Sequence, residues 1–172
     1  MNLLLALALA AGPASASDVP LAGAKAPEFA LAAQDGRTVA LKELRGRWVV
    51  LYFYPKDFTG GCTLEARGFE KNRKRFAAAK AVVLGVSMDS AESHKDFCAK
   101  EGLGFKLLSD AKGEASAAYG SLRSERPLSA RNTFLINPEG TIAKVWLDVS
   151  PAGHAEEVLA ALTALRAPKA AK

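Results

Sequence analysis

The longest apolar run in the body of the chain, Trp48-Val49-Val50-Leu51-Tyr52-Phe53-Tyr54, is unbroken by charge and rich in β-branched and aromatic residues. That pattern predicts a central strand covered on both faces, ended by Pro55. Before it, Ala26 to Leu31 and Thr38 to Leu41 flank Asp35-Gly36 and read as a short hairpin. After a polar loop through Thr59-Gly60-Gly61, residues Cys62 to Ala79 contain no proline and are dominated by helix formers, so a helix begins at or beside Cys62. Ala81 to Val86 predicts a second apolar strand. Ser90 to Glu101 predicts a helix opened by a serine cap and stopped at Gly102. A short strand at Lys106 to Leu108 and a short helix at Lys112 to Tyr119 follow. The last third predicts strand Thr133 to Ile136, a turn at Asn137-Pro138-Glu139-Gly140, strand Thr141 to Leu147 and helix Ala152 to Arg166. Strands alternating with helices, then a terminal hairpin and helix, define an α/β fold with a mixed central sheet flanked by helices.

The N-terminal stretch breaks this pattern. Met1 to Ser17 carries no charged side chain, runs through Leu3 to Ala11 without a polar residue, and ends in Ala14-Ser15-Ala16. The run is shorter than the roughly 20 residues that cross a bilayer. Small residues at Ala14 and Ala16 suit signal-peptidase cleavage, so residues 1–16 read as a secretory signal and residues 17–166 as one domain. An ordinary N-terminal helix or an uncleaved anchor is the alternative, since no Lys or Arg precedes the apolar run. The expected location is the bacterial periplasm, with no stable membrane association once the signal is removed. Residues 167–172 read as a flexible basic tail.

With 172 residues, 49% of them hydrophobic and 24% charged, the chain can bury one ordinary core and is not of a disordered or disulfide-dense class. The net charge of +5 is carried in part by Lys71, Arg73, Lys74 and Arg75 on one predicted helix and by Lys169 and Lys172. Such runs are ordinarily solvated faces. No aromatic residues interleave them, and no nucleic-acid-binding motif is present, so no nucleic acid partner is expected.

Two cysteines carry the chemical information. In an exported chain, counting alone leaves a structural disulfide as open as a catalytic thiol. Position separates them. Cys62 stands at the start of a helix, where unpaired amides and the helix dipole favour an anion, and a thiol so placed favours the nucleophilic thiolate. Gly60 and Gly61 keep the approach free of side chains. A thiolate attacking a peroxide needs the oxygen–oxygen bond oriented and the leaving oxygen stabilised, for which a hydroxyl and a guanidinium suffice. Thr59 is the candidate hydroxyl. Arg131, just before the strand at Thr133, is the candidate guanidinium, because strand ends of a parallel core meet at one rim.

Pro55-Lys56-Asp57-Phe58-Thr59-Gly60-Gly61-Cys62-Thr63-Leu64-Glu65-Ala66, preceded by Val49 to Tyr54, resembles the peroxiredoxin active site. The signature residues are Pro55, Thr59 and Cys62. The resemblance to the bacterioferritin comigratory protein, or peroxiredoxin Q, group extends from Ala26-Pro27-Glu28-Phe29 through Ser109-Asp110 to Arg131-Asn132-Thr133-Phe134-Leu135-Ile136. It implies a thioredoxin-like fold without a cofactor, a peroxide pocket made by Pro55, Thr59, Cys62 and Arg131, and a sulfenic acid on Cys62 during turnover. Glu65 matches an acidic position of the family and reads either as a carboxylate that orients an arginine or as a plain first-turn carboxylate beside the dipole. Trp48 and Phe58 read as core or pocket wall.

Two departures from the family pattern stand out. Many members place a second cysteine five residues after the first, where this chain has Arg67. The remaining cysteine, Cys98, lies 36 residues after Cys62 on a later helix, which resembles members whose resolving cysteine sits there. On that resemblance Cys98 attacks the Cys62 sulfenic acid to give an intramolecular disulfide, reduced in turn by a thioredoxin-like dithiol partner. Local unwinding is then required, because bridged Cα atoms lie within about 7 Å. The second departure is Gly60 in place of a proline, which loosens that turn. The segment Tyr119 to Ala130 does not match the usual loop. An intramolecular pair needs no second chain, so a monomer is expected.

His94 shares a helix face with Cys98, and His154 reads as a surface or capping residue. One histidine and one cysteine fall short of a metal site, so no metal is expected. Two rivals remain. A thioredoxin-fold disulfide exchanger is weakened by the lack of Cys-x-x-Cys. A copper-delivery or chaperone module would keep its partner binding after loss of Cys62 and turn over no peroxide.

Overall fold

The computed structural model describes residues 18–167. The signal segment 1–16 and nearly all of the tail lie outside the described residues. One seven-stranded mixed sheet organises the rest: β1 (Ala30–Ala33), β2 (Thr38–Ala40), β3 (Trp48–Phe53), β4 (Ala81–Ser87), β5 (Lys106–Ser109), β6 (Thr133–Ile136) and β7 (Ile142–Trp146), in the order β2-β1-β5-β4-β3-β6-β7. β3 is an interior strand next to the central β4, parallel to β4 and antiparallel to β6, with Val50 opposite both Val83 and Leu135.

The apolar run of β3 is unbroken because both of its faces are buried. Val50, Tyr52 and Tyr54 face one core with Phe69 and Phe76 of helix α1 (Gly60–Ala78), Phe97 and Cys98 of α2 (Ala91–Glu101), and Val158 and Leu162 of α4 (His154–Arg166). Val49, Leu51 and Phe53 face the other, with Leu41, Tyr119 and Phe134. Side chains alternate across a strand, so one segment serves both layers. The loop after β3 therefore leaves the rim between two packed layers and leads directly into α1. No helix among the described residues is long and apolar enough to cross a membrane.

Several expectations need correction. The first predicted strand starts too early: the Ala26 amide donates to the Gly140 carbonyl and Lys25 bridges Thr141, so that stretch runs along the β6–β7 turn, and pairing with β2 begins at Ala30. Leu41 opens a 3₁₀ turn through Leu44 and does not extend β2. The predicted helix at 112–119 shortens to α3 (Glu114–Ala118), entered through Gly113 in the left-handed region. His154 is not at the surface. It is buried at the first turn of α4, its Nε2 2.8 Å from the Thr133 hydroxyl and its ring edge-on to Phe69 and Trp146. Phe58 is not core: it is 47% exposed.

Candidate active site

Thr59 caps α1, and the helix continues through Gly60 and Gly61 to Cys62, its third residue. The Thr59 carbonyl accepts the Thr63 amide, while the amides ahead of it have no carbonyl of the preceding turn to bond. The Cys62 sulfur is thus buried, at 1% exposure, yet sits at the positive end of a 19-residue helix. Arg131 enters from the segment before β6. Its Nη2 donates to Cys62 Sγ at 3.4 Å and its Nη1 donates to Glu65 Oε2 at 2.5 Å. Cys62 and Glu65, three apart on α1, lie on one face, so a single guanidinium spans both.

Glu65 is 1% exposed and its Oε1 has no hydrogen-bond partner. Burial pushes its carboxyl up to about 7 despite Arg131, which pulls the other way. Burial opposes the charge of Arg131, but Glu65 and the Cys62 sulfur more than offset this and raise its pKa. Glu65 thus pairs with the arginine that donates to the Cys62 sulfur.

Gly61 has a structural reason beyond an open approach. A Cβ there would stand 3.2 Å from Arg131 Nη2 and 3.4 Å from Pro151. Gly60 is different, because a Cβ there meets nothing within 4 Å. The Thr59 hydroxyl donates to the Lys56 carbonyl at 2.9 Å and shapes the loop. Pro55, two residues past the end of β3, lines a groove of about 710 Å³ with Leu122 to Arg126 and Leu128, and Thr59, Cys62 and Arg131 are not among its walls.

Cys98 lies on α2 in the same core layer as Cys62, and both thiols are free. Burial, with added repulsion from Asp57 and Glu70, pushes the Cys98 thiol up to about 11. Arg67, which occupies the alternative cysteine position, pairs with Glu101 of α2 at 2.6 Å. Among the described residues no group of three or more His, Cys, Asp and Glu is placed to hold a metal.

Sequence reasoning missed Asp57. It is 3% exposed, and its carboxylate collects the Tyr54 hydroxyl at 2.7 Å, the Ser93 hydroxyl at 2.7 Å and His94 Nδ1 at 2.9 Å. Burial opposes its ionisation, but hydrogen bonds from His94, Ser93 and Tyr54 outweigh this and hold the carboxyl below its usual range. His94, wholly buried, is thus a partner of this carboxylate. A charged residue in a loop gives no sign of burial from sequence; the only hint was its place between a buried strand and Cys62.

A buried cysteine sulfur at a helix start, faced by a guanidinium on a mixed sheet of thioredoxin-like plan, is the arrangement of a thiol peroxidase. Residues 22–145 match the AhpC/TSA family, so the chain belongs to that family of peroxiredoxins. Within it the chain is similar to peroxiredoxin Bcp of Xanthomonas campestris, 39% identical over 158 residues that cover 88% of this chain and 92% of the relative. Its fold matches peroxiredoxin Q of Xylella fastidiosa with a TM-score of 0.82 and 35% identity, covering 87% of this chain and 98% of that one. It also matches two cysteine-to-serine mutants of Xanthomonas campestris peroxiredoxin Q, each at TM-score 0.77 and 38% identity, covering 88% of this chain and 99% of those. The two cysteines replaced in those mutants are 36 residues apart, the separation of Cys62 and Cys98.

Proposed function

We propose that this peroxiredoxin reduces hydrogen peroxide and organic hydroperoxides through a Cys62 sulfenic acid that Cys98 resolves as an intramolecular disulfide. The observation that carries the reading is the Arg131 guanidinium shared between Cys62 Sγ and Glu65. In the first step the Cys62 thiolate attacks one peroxide oxygen. The S–O bond forms, the O–O bond breaks, and the leaving oxygen takes up a proton to depart as water or alcohol. Sulfur is oxidised to sulfenic acid. Arg131 and the helix start hold negative charge at the sulfur before attack, and the same donor side lies beside the oxygen on which charge develops. Pro55 and Thr59 shape the wall from which peroxide enters.

In the second step the Cys98 sulfur attacks the Cys62 sulfenic sulfur, the S–O bond breaks, and water leaves as the disulfide forms. An external thioredoxin-like dithiol then returns both cysteines to thiols by exchange. No cofactor enters the cycle. Since both sulfurs belong to one chain, the working unit is a monomer. The charge-free segment 1–16 supports export to the periplasm, with the mature chain starting at Ser17, which N-terminal sequencing of secreted protein checks.

The test is a peroxide titration of the reduced mature protein with mass spectrometry. One equivalent gives an intramolecular disulfide in wild type and a sulfenic or overoxidised Cys62 in Cys98→Ser, while Cys62→Ser reacts no faster than free cysteine. Wild type reacting at the free-cysteine rate sinks the peroxidase reading. A wild type that reacts quickly without forming the Cys62–Cys98 bond removes Cys98 from its role.

A further inference from the structure

The loop that delivers Cys62 to α1 also grips the helix that carries Cys98. Asp57 bonds two residues of the first turn of α2 directly, Ser93 and His94. Its own amide donates to Asp89 Oδ2 at 2.9 Å, just ahead of the Ser90 cap of α2. Asp89 is fixed in turn by the Ser87 hydroxyl at 2.7 Å. One residue on, the Phe58 ring stands edge-on to Phe97 with centroids 5.1 Å apart, and Lys100 Nζ lies 5.4 Å over the same ring. Phe97 is the immediate neighbour of Cys98. The contact is made under strain, because Phe58 has φ +59°, a region that bulky side chains rarely adopt. Asp57 and Phe58 thus hold α2 before and beside Cys98, while the side chain that hydrogen-bonds the Cys62 sulfur is Arg131.

We infer that Asp57 and Phe58 act as a clasp on α2 whose release sets how fast Cys98 reaches oxidised Cys62, and hence how much Cys62 is overoxidised by a second peroxide. The inference rests on Cys98 as the resolving thiol. With the clasp closed, Cys98 stays helical and buried, and burial keeps its thiol protonated at neutral pH, so it is a poor nucleophile. Opening the first turn of α2 frees the helix to unwind and gives Cys98 water. A strained Phe58 favours that release, while the hydrogen bonds to Asp57 oppose it. Asp57, Ser93 and Phe58 are positioning residues: they change the resolving step and leave peroxide attack alone.

Ser93→Ala removes one hydrogen bond to the Asp57 carboxylate, a loss worth on the order of tenfold in a two-state opening. Rapid quench with thiol alkylation and mass spectrometry reads disulfide closure after one equivalent of peroxide. The expected result is closure about tenfold faster in Ser93→Ala, a correspondingly smaller sulfinic fraction at excess peroxide, and unchanged sulfenic acid formation in the Cys98→Ser background. Asp57→Asn, which weakens the bonds to Ser93, His94 and Tyr54 together, accelerates closure further. Should Asp57→Asn fail to fold, Ser93→Ala decides alone. Closure in Ser93→Ala that is within twofold of wild type, or slower, overturns the clasp while leaving Cys98 in place. Absence of the disulfide in wild type itself removes the resolving role, and the clasp with it.

Discussion

Arg131→Met separates the two tasks of the guanidinium, because its effects on rate and on stability follow different laws. For the rate, the variant removes the charged donor 3.4 Å from the reacting sulfur. Loss of one such preorganised donor costs about 10²–10³ in rate. For stability, removing one member of a buried ion pair ordinarily costs about 3–5 kcal/mol because the survivor is left charged. Glu65 has a cheaper course. Its carboxyl sits at about 7 with Arg131 present, against 4.5 for the unperturbed group, so at pH 6 it is mostly protonated and loses little when the arginine goes. The sign follows from linkage. A carboxyl whose folded pKa is raised binds its proton more tightly in the folded state, so its contribution to stability is fully present below 4.5 and is lost as pH rises through the folded value. In wild type that loss levels off above about 7. Without Arg131 the folded pKa moves higher and the loss continues, so the stability difference between wild type and variant grows by about 1.4 kcal/mol per pH unit above 7. Urea melts from pH 6 to 9 measure this, and stopped-flow sulfenic acid formation in the Cys98→Ser background measures the rate. Adding Glu65→Gln flattens the pH dependence without restoring the rate. A stability difference that stays constant from pH 6 to 9, or a rate within threefold of wild type, refutes the argument.

Gly60→Pro tests the looseness of the first turn. Gly60 is the first helical residue, where proline's fixed φ fits and its missing amide hydrogen is not needed, so the variant gains about 0.4–1 kcal/mol and shows slower hydrogen exchange around Cys62 and slower disulfide closure. Faster exchange there contradicts this. Gly85→Ala places a Cβ 2.6 Å from the Tyr52 ring and from Leu107, inside the core layer beneath α1, and costs about 1–3 kcal/mol by denaturant melting; an unchanged midpoint means that Tyr52 shifts freely. His154→Gln tests acid sensitivity. Burial holds the His154 pKa at about 4 against 6.5 when unfolded, so as pH falls from 6.5 to 4 the unfolded chain takes the proton first and stability drops. Relative to wild type, the variant loses less stability across that window, and parallel melting curves between pH 7 and 4 deny His154 the effect.

The strands and helices were readable because each is a local pattern whose cause is local. The run Trp48 to Tyr54 alternates between two cores, and both cores are apolar, so the sequence shows a continuous apolar block and the structure a central strand. Cys62 was legible from its place at a helix start, while Thr59 and Glu65 were named with it through the motif that resembles the peroxiredoxin site. Arg131 was named for a rim of parallel strand ends and by resemblance, but β6 runs antiparallel to β3, and it is the pairing of Thr133 with Tyr52 that brings the residue ahead of β6 to the end of β3. What sequence reading could not reach were contacts between polar groups distant in the chain. Asp57 meets His94 across 37 residues and His154 meets Thr133 across 21, and in each case buried polar groups find each other only after the layers have closed. Exposure misled for the same reason. Histidine and aspartate carry no pattern that marks them as buried, and Phe58 carries none that marks it as exposed.

The two steps of the proposed cycle place opposite demands on this fold. Peroxide attack needs α1 intact, because the helix start and Arg131 act on Cys62 only while the first turn is formed. Resolution needs the opposite, since Cys98 is held in a second helix, buried and protonated until that helix loosens. A fold rigid enough for the first step alone would leave sulfenic acid waiting for a second peroxide. One loose enough for the second alone would lose the donor array. The chain meets both demands by spacing its weak points: glycine at the start of α1, a strained Phe58 on the connecting loop, and a short polar anchor at the start of α2. In that cycle oxidation of Cys62 changes the group that Arg131 and the helix start face, so the closed state loses part of its advantage at the moment opening becomes useful. In the proposed cycle attack comes while Arg131 and the helix start face the sulfur, and opening follows once the sulfur is oxidised.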